Sequence, residues 1–306
     1  MTSSQLHIAS LNVCGLNDIN KRLVTFDIFK NSIFSIILLQ ETKTKFSQEN
    51  DIRKEWHNQK IIINSTKSEN ASGGCMVLFN VHNITILDTI LSPDGRCIVA
   101  NFEFNGLRYH LVNAYFPNDC NNKKSFIISL YPLISSQYPI ILGEDFNLAM
   151  KPIIDRYPST TTNDLYSSDL EHLVSTFDLQ DVCRKLYPFR SFFSFRRGSS
   201  KSRIDHLYIS KSCIVDSYQH QDFALSDHDI ISTSIVFENT FIKGRGFWRN
   251  KTKIYDSENF RTKFKECWDE NLKRCSGSWW LETKFQIKRF LIRMNNELNN
   301  GQNDEI

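Results

Sequence analysis

Asp145 and Asn147 stand two residues apart at the end of the apolar run Ile141-Leu-Gly-Glu-Asp-Phe-Asn147. On a strand, that spacing puts both side chains on one face. A carboxylate beside a carboxamide can take a proton from a water and offer a donor to an oxyanion. Asp-x-Asn also suits a turn, so its weight comes from other segments built the same way. These are His7-Ile-Ala-Ser-Leu-Asn12-Val-Cys14-Gly15, Ile36-Ile-Leu-Leu-Gln40-Glu41-Thr42, Tyr109-His-Leu-Val-Asn113-Ala-Tyr115-Phe-Pro117-Asn118, Arg203-Ile-Asp205-His206 and Leu225-Ser226-Asp227-His228-Asp229.

Each is an apolar, strand-like run that stops in residues able to hold phosphate or metal. Singly, Glu41 reads as a surface carboxylate and His228 as a satisfied turn histidine. Together the ends predict an α/β sandwich whose strand termini converge on one cleft. Glu41 with nearby Asp oxygens suits Mg²⁺, which takes few carboxylates and keeps waters for a substrate phosphate. Paired Cys/His spacing is lacking, which argues against zinc. Metal, histidine and amide donors together can neutralise a phosphodiester, orient a water and stabilise the oxygens of the transition state.

The elements that must position these residues are legible in outline. Lys21–Phe29 carries apolar residues at 23, 26 and 29 and predicts a helix after the first strand. Asn121–Ser136 and Asp164–Phe177 read the same way, and Cys75–Phe79 and the runs 97–104, 107–116, 204–209 and 230–237 read as strands.

In motif order over residues 5–238, the chain resembles the endonuclease/exonuclease/phosphatase superfamily, and within it the apurinic-endonuclease-like domain of LINE-type non-LTR retrotransposons. The resemblance implies a four-layer α/β sandwich: two mixed β-sheets face to face, helices outside, here with a C-terminal helical extension. It implies Glu41 as principal Mg²⁺ ligand, with Mn²⁺ as a substitute ion, and Asn12 and Asp227 beside it. Tyr115 and Asn118 would contact the scissile phosphate. Asp145 would orient or deprotonate the attacking water, and Asn147 would help to hold phosphate and water. His228, oriented by Asp205, would stabilise the developing charge. Ser194 stands where the family commonly has Thr. The stretch 196–203, with Arg196, Arg197, Lys201 and Arg203, matches a hairpin that flanks the minor groove of double-stranded DNA; on composition alone it is equally a solvated loop. Two positions depart from the pattern. Cys14 puts a thiol where an oxygen ligand is usual, and Glu144 replaces the Gly before the Asp of Asp-x-Asn. Alternation turns Glu144 away from the side chain of Asp145.

Charge divides the chain. Residues 243–300 hold 14 Lys/Arg against 7 Asp/Glu, so the overall +3 resides in the tail. A near-neutral catalytic domain meets nucleic acid through local patches only. We expect a catalytic domain at 1–238 and a basic, helical linker at 239–306. In the linker, Phe260, Phe264 and Trp268 share a face within 257–272, and a second helical stretch runs over 279–298. Gly246-Phe-Trp-Arg-Asn250 and the stretch 279–288 resemble the segment joining endonuclease to reverse transcriptase, which implies a polymerase partner C-terminal to a fragment. The eight cysteines show no C-x-x-C spacing and read as reduced thiols of an intracellular protein with no disulfide-linked partner. The longest apolar runs are too short for a bilayer, so no membrane partner is expected. Nuclear action follows from the resemblance alone.

The expected function is a Mg²⁺-dependent DNA endonuclease that nicks one strand and leaves a 3′-hydroxyl to prime reverse transcription. Abasic-site repair shares the chemistry. A phosphomonoesterase of the same superfamily fits the tail less well. A catalytically decayed nucleic-acid-binding domain is the reading from a different class.

Overall fold

Ile36-Ile-Leu-Leu-Gln40 is buried at every position, so it needs cover on both faces. The computed structural model supplies that cover. It describes residues 5–57, 59–66, 73–134, 137–236 and 258–272, with four further positions at 287, 290, 291 and 294. The strands are β1 (Gln5–Asn12), β2 (Ile36–Gln40), β3 (Ile61–Asn64), β4 (Cys75–Phe79), β5 (Ile84–Leu91), β6 (Cys97–Phe104), β7 (Leu107–Tyr115), β8 (Ile140–Asp145), β9 (Arg156–Tyr157), β10 (Leu179–Asp181), β11 (Phe195–Arg197), β12 (Ser200–Ser202), β13 (Asp205–Ser210), β14 (Ile214–Gln221) and β15 (Ile230–Val236). The helices are α1 (Ile19–Lys30), α2 (Glu49–Glu55), α3 (Cys120–Leu130), α4 (Pro152–Asp155), α5 (Ser167–Thr176), α6 (Val182–Leu186) and α7 (Glu258–Leu272).

Two six-stranded sheets form, in the orders β14-β15-β1-β2-β4-β3 and β10-β13-β8-β7-β6-β5. Both are mixed: β1–β2 and β7–β8 run parallel, and the other pairs antiparallel. Alternation sorts β2 into two layers. Ile36 and Leu38 join Ile98, Leu111, Ile141 and Leu207 in the core between the sheets. Ile37 and Leu39 pack outward with Phe26 and Phe29 of α1 and with Trp56. On the far side, Val112 and Leu142 meet Phe126 and Leu130 of α3 and Leu170 and Leu173 of α5. The result is the expected four-layer sandwich.

At Gly143 the sheets approach too closely for a side chain. A Cβ there would overlap Leu38 Cδ1 of the facing sheet. Position 143 therefore faces inward, 144 outward and 145 inward again. A third, small sheet of order β11-β12-β9 stands beside the main pair.

The predicted helices and strands recur with shifted ends. The strands β5 and β14 carry no clear apolar alternation; much of β5 is solvent-exposed at its sheet's edge. The chain divides into units Met1–Asn239 and Thr240–Ile306. In the second unit Phe260 of α7 packs with Phe290 and Met294. Most of the predicted helix over 279–298 lies outside the described residues. Among these residues no helix is long and apolar enough to cross a membrane, and Cys14, Cys75, Cys97, Cys183, Cys213 and Cys267 are free thiols.

Candidate active site

Strand register brings the carboxylates together. The antiparallel pairing of β8 and β13 sets Asp145 directly opposite Asp205, and residues so placed share a face of the sheet. His228 arrives from the segment before β15, and its Nδ1 lies 2.8 Å from Asp205 Oδ2. Ligand atoms of Asp145, Asp205 and His228 all fall within 4.8 Å of one another, and all three residues are buried. The backbone of Asp205 is fixed by Ser194, whose hydroxyl oxygen accepts the N–H groups of Ile204 and Asp205 at 3.2 and 3.1 Å.

Asn12, at the end of β1, joins this cluster to Glu41. Its Nδ2 donates to Asp145 Oδ2 at 2.9 Å and to Glu41 Oε2 at 3.0 Å. Its Oδ1 accepts the backbone N–H of Cys14. One carboxamide thus ties the facing sheets together at the cleft. Tyr115 also donates to Glu41 Oε2, at 2.9 Å, and Lys43 Nζ sits 2.7 Å from Oε1. Asn147 donates its backbone N–H to Asp145 Oδ1 at 2.8 Å. Cys14, Glu41 and Asn147 hold φ of 49, 53 and 52°. Such left-handed backbone at non-glycine residues clusters where function over-determines it.

The charges follow from these contacts. Burial raises the Asp145 carboxyl, Asp205 raises it further, and the outcome is about 7 despite opposing help from His228, Asn12 and Asn147. Burial disfavours charge on His228, but the charge and hydrogen bond of Asp205, with Asp145 and Asp227, push its pKa up to about 10. Burial likewise raises Glu41, yet hydrogen bonds from Lys43, Asn12 and Tyr115 prevail and hold it below the ordinary value. At neutral pH the site therefore offers a proton acceptor poised near its pKa, an imidazolium, and a carboxylate already holding a cation.

The remaining predicted residues lie as follows. Asp227 is exposed, and its carbonyl accepts the Arg196 N–H. Asn118 is exposed on the loop after β7. Arg197 and Lys201 are exposed on the β11–β12 hairpin, with no ion pair among the described residues. The hairpin adjoins the cluster through the Phe195–His228 bridge, their rings 4.8 Å apart. Arg196 is partly engaged by Asp229 at 2.5 Å. Two assignments change. Arg203 is 1 % exposed, with Nε on Asp155 and Nη2 on Asp181, each at 2.8 Å. It is an internal ion pair, not a phosphate contact. Ser194 is fully buried and positions Asp205 rather than meeting substrate.

Three residues escaped the sequence reading. Lys43 is two places past Glu41, and the strand's alternation ends at Glu41, so spacing did not forecast their pairing. Ser226, within a quoted motif, donates its hydroxyl to the Asn12 carbonyl and accepts the His228 N–H. Asp155 came from a stretch with no chemical signature.

Glu144 faces away from the cluster, as alternation requires. It is fully buried, and neither carboxylate oxygen has a partner. Burial, then Asp145, raises its pKa well above the ordinary carboxylate range, which favours the protonated form. Opposite it on β13 stands His206, whose ring nitrogens also lack partners. Glu144→Met keeps volume and removes the unsatisfied group; we expect stabilisation of ~2 kcal/mol, or roughly 4–8 °C in Tm, with hydrolysis unchanged. Urea titration checks it. A loss of stability would show that Glu144 and His206 support each other.

Comparisons with known proteins agree with this architecture. The model of the endonuclease/exonuclease/phosphatase family matches residues 9–228. A transposon TX1 uncharacterized 149 kDa protein of Xenopus laevis is 25% identical over 317 residues, covering 98% of this chain but 24% of its own length. The chain thus spans about a quarter of the curated relative it matches. The AP endonuclease of Leishmania major superposes with a TM-score of 0.60 at 13% identity, over 76% of this chain and 88% of that one. The endonuclease domain of TRAS1, a telomere-specific non-LTR retrotransposon, gives 0.53 at 15% identity, over 76% and 99%. With the family model spanning both the Asn12 and His228 ends of the cluster, the chain belongs to the endonuclease/exonuclease/phosphatase family.

Proposed function

We propose that this chain is a divalent-metal-dependent endonuclease that nicks one strand of double-stranded DNA and leaves a 3′-hydroxyl able to prime reverse transcription. The observation that carries it is Asn12 joining Glu41 to the Asp145–Asp205–His228 cluster. The transposon relative supports the priming role and, through its greater length, a reverse transcriptase partner encoded beyond this segment; action would then fall on nuclear DNA.

Glu41, with Asp227, would offer the carboxylate oxygens that Mg²⁺ or Mn²⁺ takes, and Asn12 would orient Glu41 through its Nδ2 while its Oδ1 receives the Cys14 N–H. Lys43 Nζ rests on Glu41 Oε1 at 2.7 Å, so a bound metal would share that carboxylate with an ammonium. When bound, the metal supplies positive charge to the phosphate oxygens. Asp145, held by Asn12 and the Asn147 N–H, accepts the proton of the attacking water. His228 spends Nδ1 on Asp205, which leaves Nε2–H to donate to the phosphate. Asn147, Tyr115 and Asn118 would hold the phosphate, and Arg197 and Lys201 would contact the flanking backbone, setting register rather than sequence.

Lys43 opposes the metal. Lys43→Met should tighten Mn²⁺ binding to the substrate-free chain about tenfold, since a like charge a few ångströms away is removed. Calorimetry checks it; unchanged or weaker binding would mean that the metal and Lys43 do not share Glu41.

Supercoiled plasmid incubated with the chain, with Mg²⁺ or EDTA, tests the function beside an abasic duplex and Asp145→Ala. Mg²⁺-dependent open circle, absent in the variant and without abasic preference, is the expected result. Strong abasic preference would move the reading to repair. Binding without cleavage would mark a decayed domain.

A further inference from the structure

Lys123 stands where two ordinary rules would keep a lysine out. It is the fourth residue of α3, in the first turn, where the helix dipole disfavours a positive charge. It is also only 5 % exposed, and lysine is among the residues least often buried. A residue that breaks both rules answers a local demand other than helix stability.

The demand is visible at the far end of the side chain. Lys123 Nζ donates to the Asn147 carbonyl at 2.7 Å. Asn147 holds φ at 52°, a left-handed backbone that persists at a non-glycine residue only where the surroundings over-determine it. Its N–H donates to Asp145 Oδ1 at 2.8 Å, and its Nδ2 to the Phe116 carbonyl at 3.2 Å. The N–H, the carbonyl and the carboxamide nitrogen are thus all engaged. The same helix grips Phe116: Phe126, three residues beyond Lys123, packs against it with ring centroids 4.8 Å apart. Phe116 also donates its N–H to the Asp145 carbonyl. Asn118 lies between Phe116 and the start of α3, so its loop is pinned at Phe116 and again, through Lys123, at Asn147.

We propose that Lys123 is a positioning residue that sets the spacing between the carboxamides of Asn118 and Asn147, the two amides that would hold the phosphate. This rests on the nuclease reading above. Lys123 does not touch substrate; it closes a ring of contacts from Asn147 through Phe116 and α3 back to Asn147, with Asn118 carried on that ring. A neutral donor could satisfy the carbonyl, but a charge-assisted bond is shorter and stronger and so holds the frame more stiffly.

Single-turnover nicking of supercoiled plasmid by the full chain with Mg²⁺ separates the saturated rate from the chain concentration that half-saturates it. Lys123→Met should lower the saturated rate by ~10²-fold, the scale set by a ~1 Å misplacement of a positioning group, and leave half-saturation unchanged. Lys123→Arg, which still reaches the carbonyl, should restore most of the rate. Lys123→Gln, too short for that reach, should not, and serves if the methionine variant does not fold. The second readout needs no catalysis. In NMR of the metal-free chain, the Asn147 N–H and the Asn118 side-chain amide should move in Lys123→Met and return in Lys123→Arg. An unchanged saturated rate per folded chain, a change confined to half-saturation, or an Asn147 signal that stays in place would overturn the proposal. If the wild-type chain makes no Mg²⁺-dependent nick, the nuclease reading fails, and the amide signals alone decide whether Lys123 holds the two carboxamides.

Discussion

Replacing His228 by alanine, or Asp145 by asparagine, should lower phosphodiester hydrolysis by about 10³-fold or more at neutral pH while the fold persists. Alanine at 228 removes the buried imidazolium and leaves Asp205 without its 2.8 Å partner. Asparagine at 145 keeps an oxygen for the Asn147 N–H but cannot take a proton from water. Single-turnover nicking, with circular dichroism as a control for folding, measures both. Full activity in both variants would remove this cluster as the hydrolytic centre.

The same groups set a pH profile. Asp145 must be ionised to act as a base. Its pKa is raised to about 7, so before metal binding the competent fraction grows as pH rises through that value. His228 must keep its proton, which it holds up to about 10. In the metal-free chain, carboxyl NMR should show one step near pH 7 with the imidazole still charged. Because the groups interact, these values belong to the cluster as a whole. Added Mg²⁺ should move the lower step to lower pH, since a nearby cation favours the carboxylate.

The second large effect lies away from the chemistry. Arg203→Met should destabilise the chain by about 3–5 kcal/mol, because Asp155 and Asp181 lose a buried partner. Asp155 is fully buried; its carboxylate also takes the Lys151 N–H and its carbonyl takes that of Arg203, so its charge cannot escape to water. The double variant Arg203→Met/Asp155→Leu should lose less than the two single changes summed. Urea denaturation decides. A loss under ~1 kcal/mol from Arg203→Met would mean that the pair contributes little.

The contrast between Arg203 and Glu41 shows what the sequence could and could not reveal. Apolar runs ending in Asn12, Glu41, Tyr115 and Asp145 were readable because a strand buried on both faces leaves few other reasons for polar residues at its tip. Arg203 was misread because four cations in eight residues describe composition, not burial. Its partner Asp155 lies 48 residues away in a stretch with no periodicity. Lys43 was invisible for a local reason: the left-handed turn at Glu41 breaks the alternation by which positions were being counted. β5 and β14 escaped because neither presents a clean apolar alternation.

The pairing of β1 with β15 has a consequence for biosynthesis. Residues 5–10 hydrogen-bond to residues 231–236, and Ser226 reaches back to the Asn12 carbonyl. At ~5–20 residues per second, Asn12 leaves the ribosome roughly 10–40 s before His228 is made. Until then one side of β1 lacks its neighbour and the imidazolium does not exist. A nascent chain is therefore unarmed until the final strand of its first unit emerges. A copy cut short before that strand loses the His228 charge and sheet closure together, so truncation leaves neither a complete cluster nor a complete sheet.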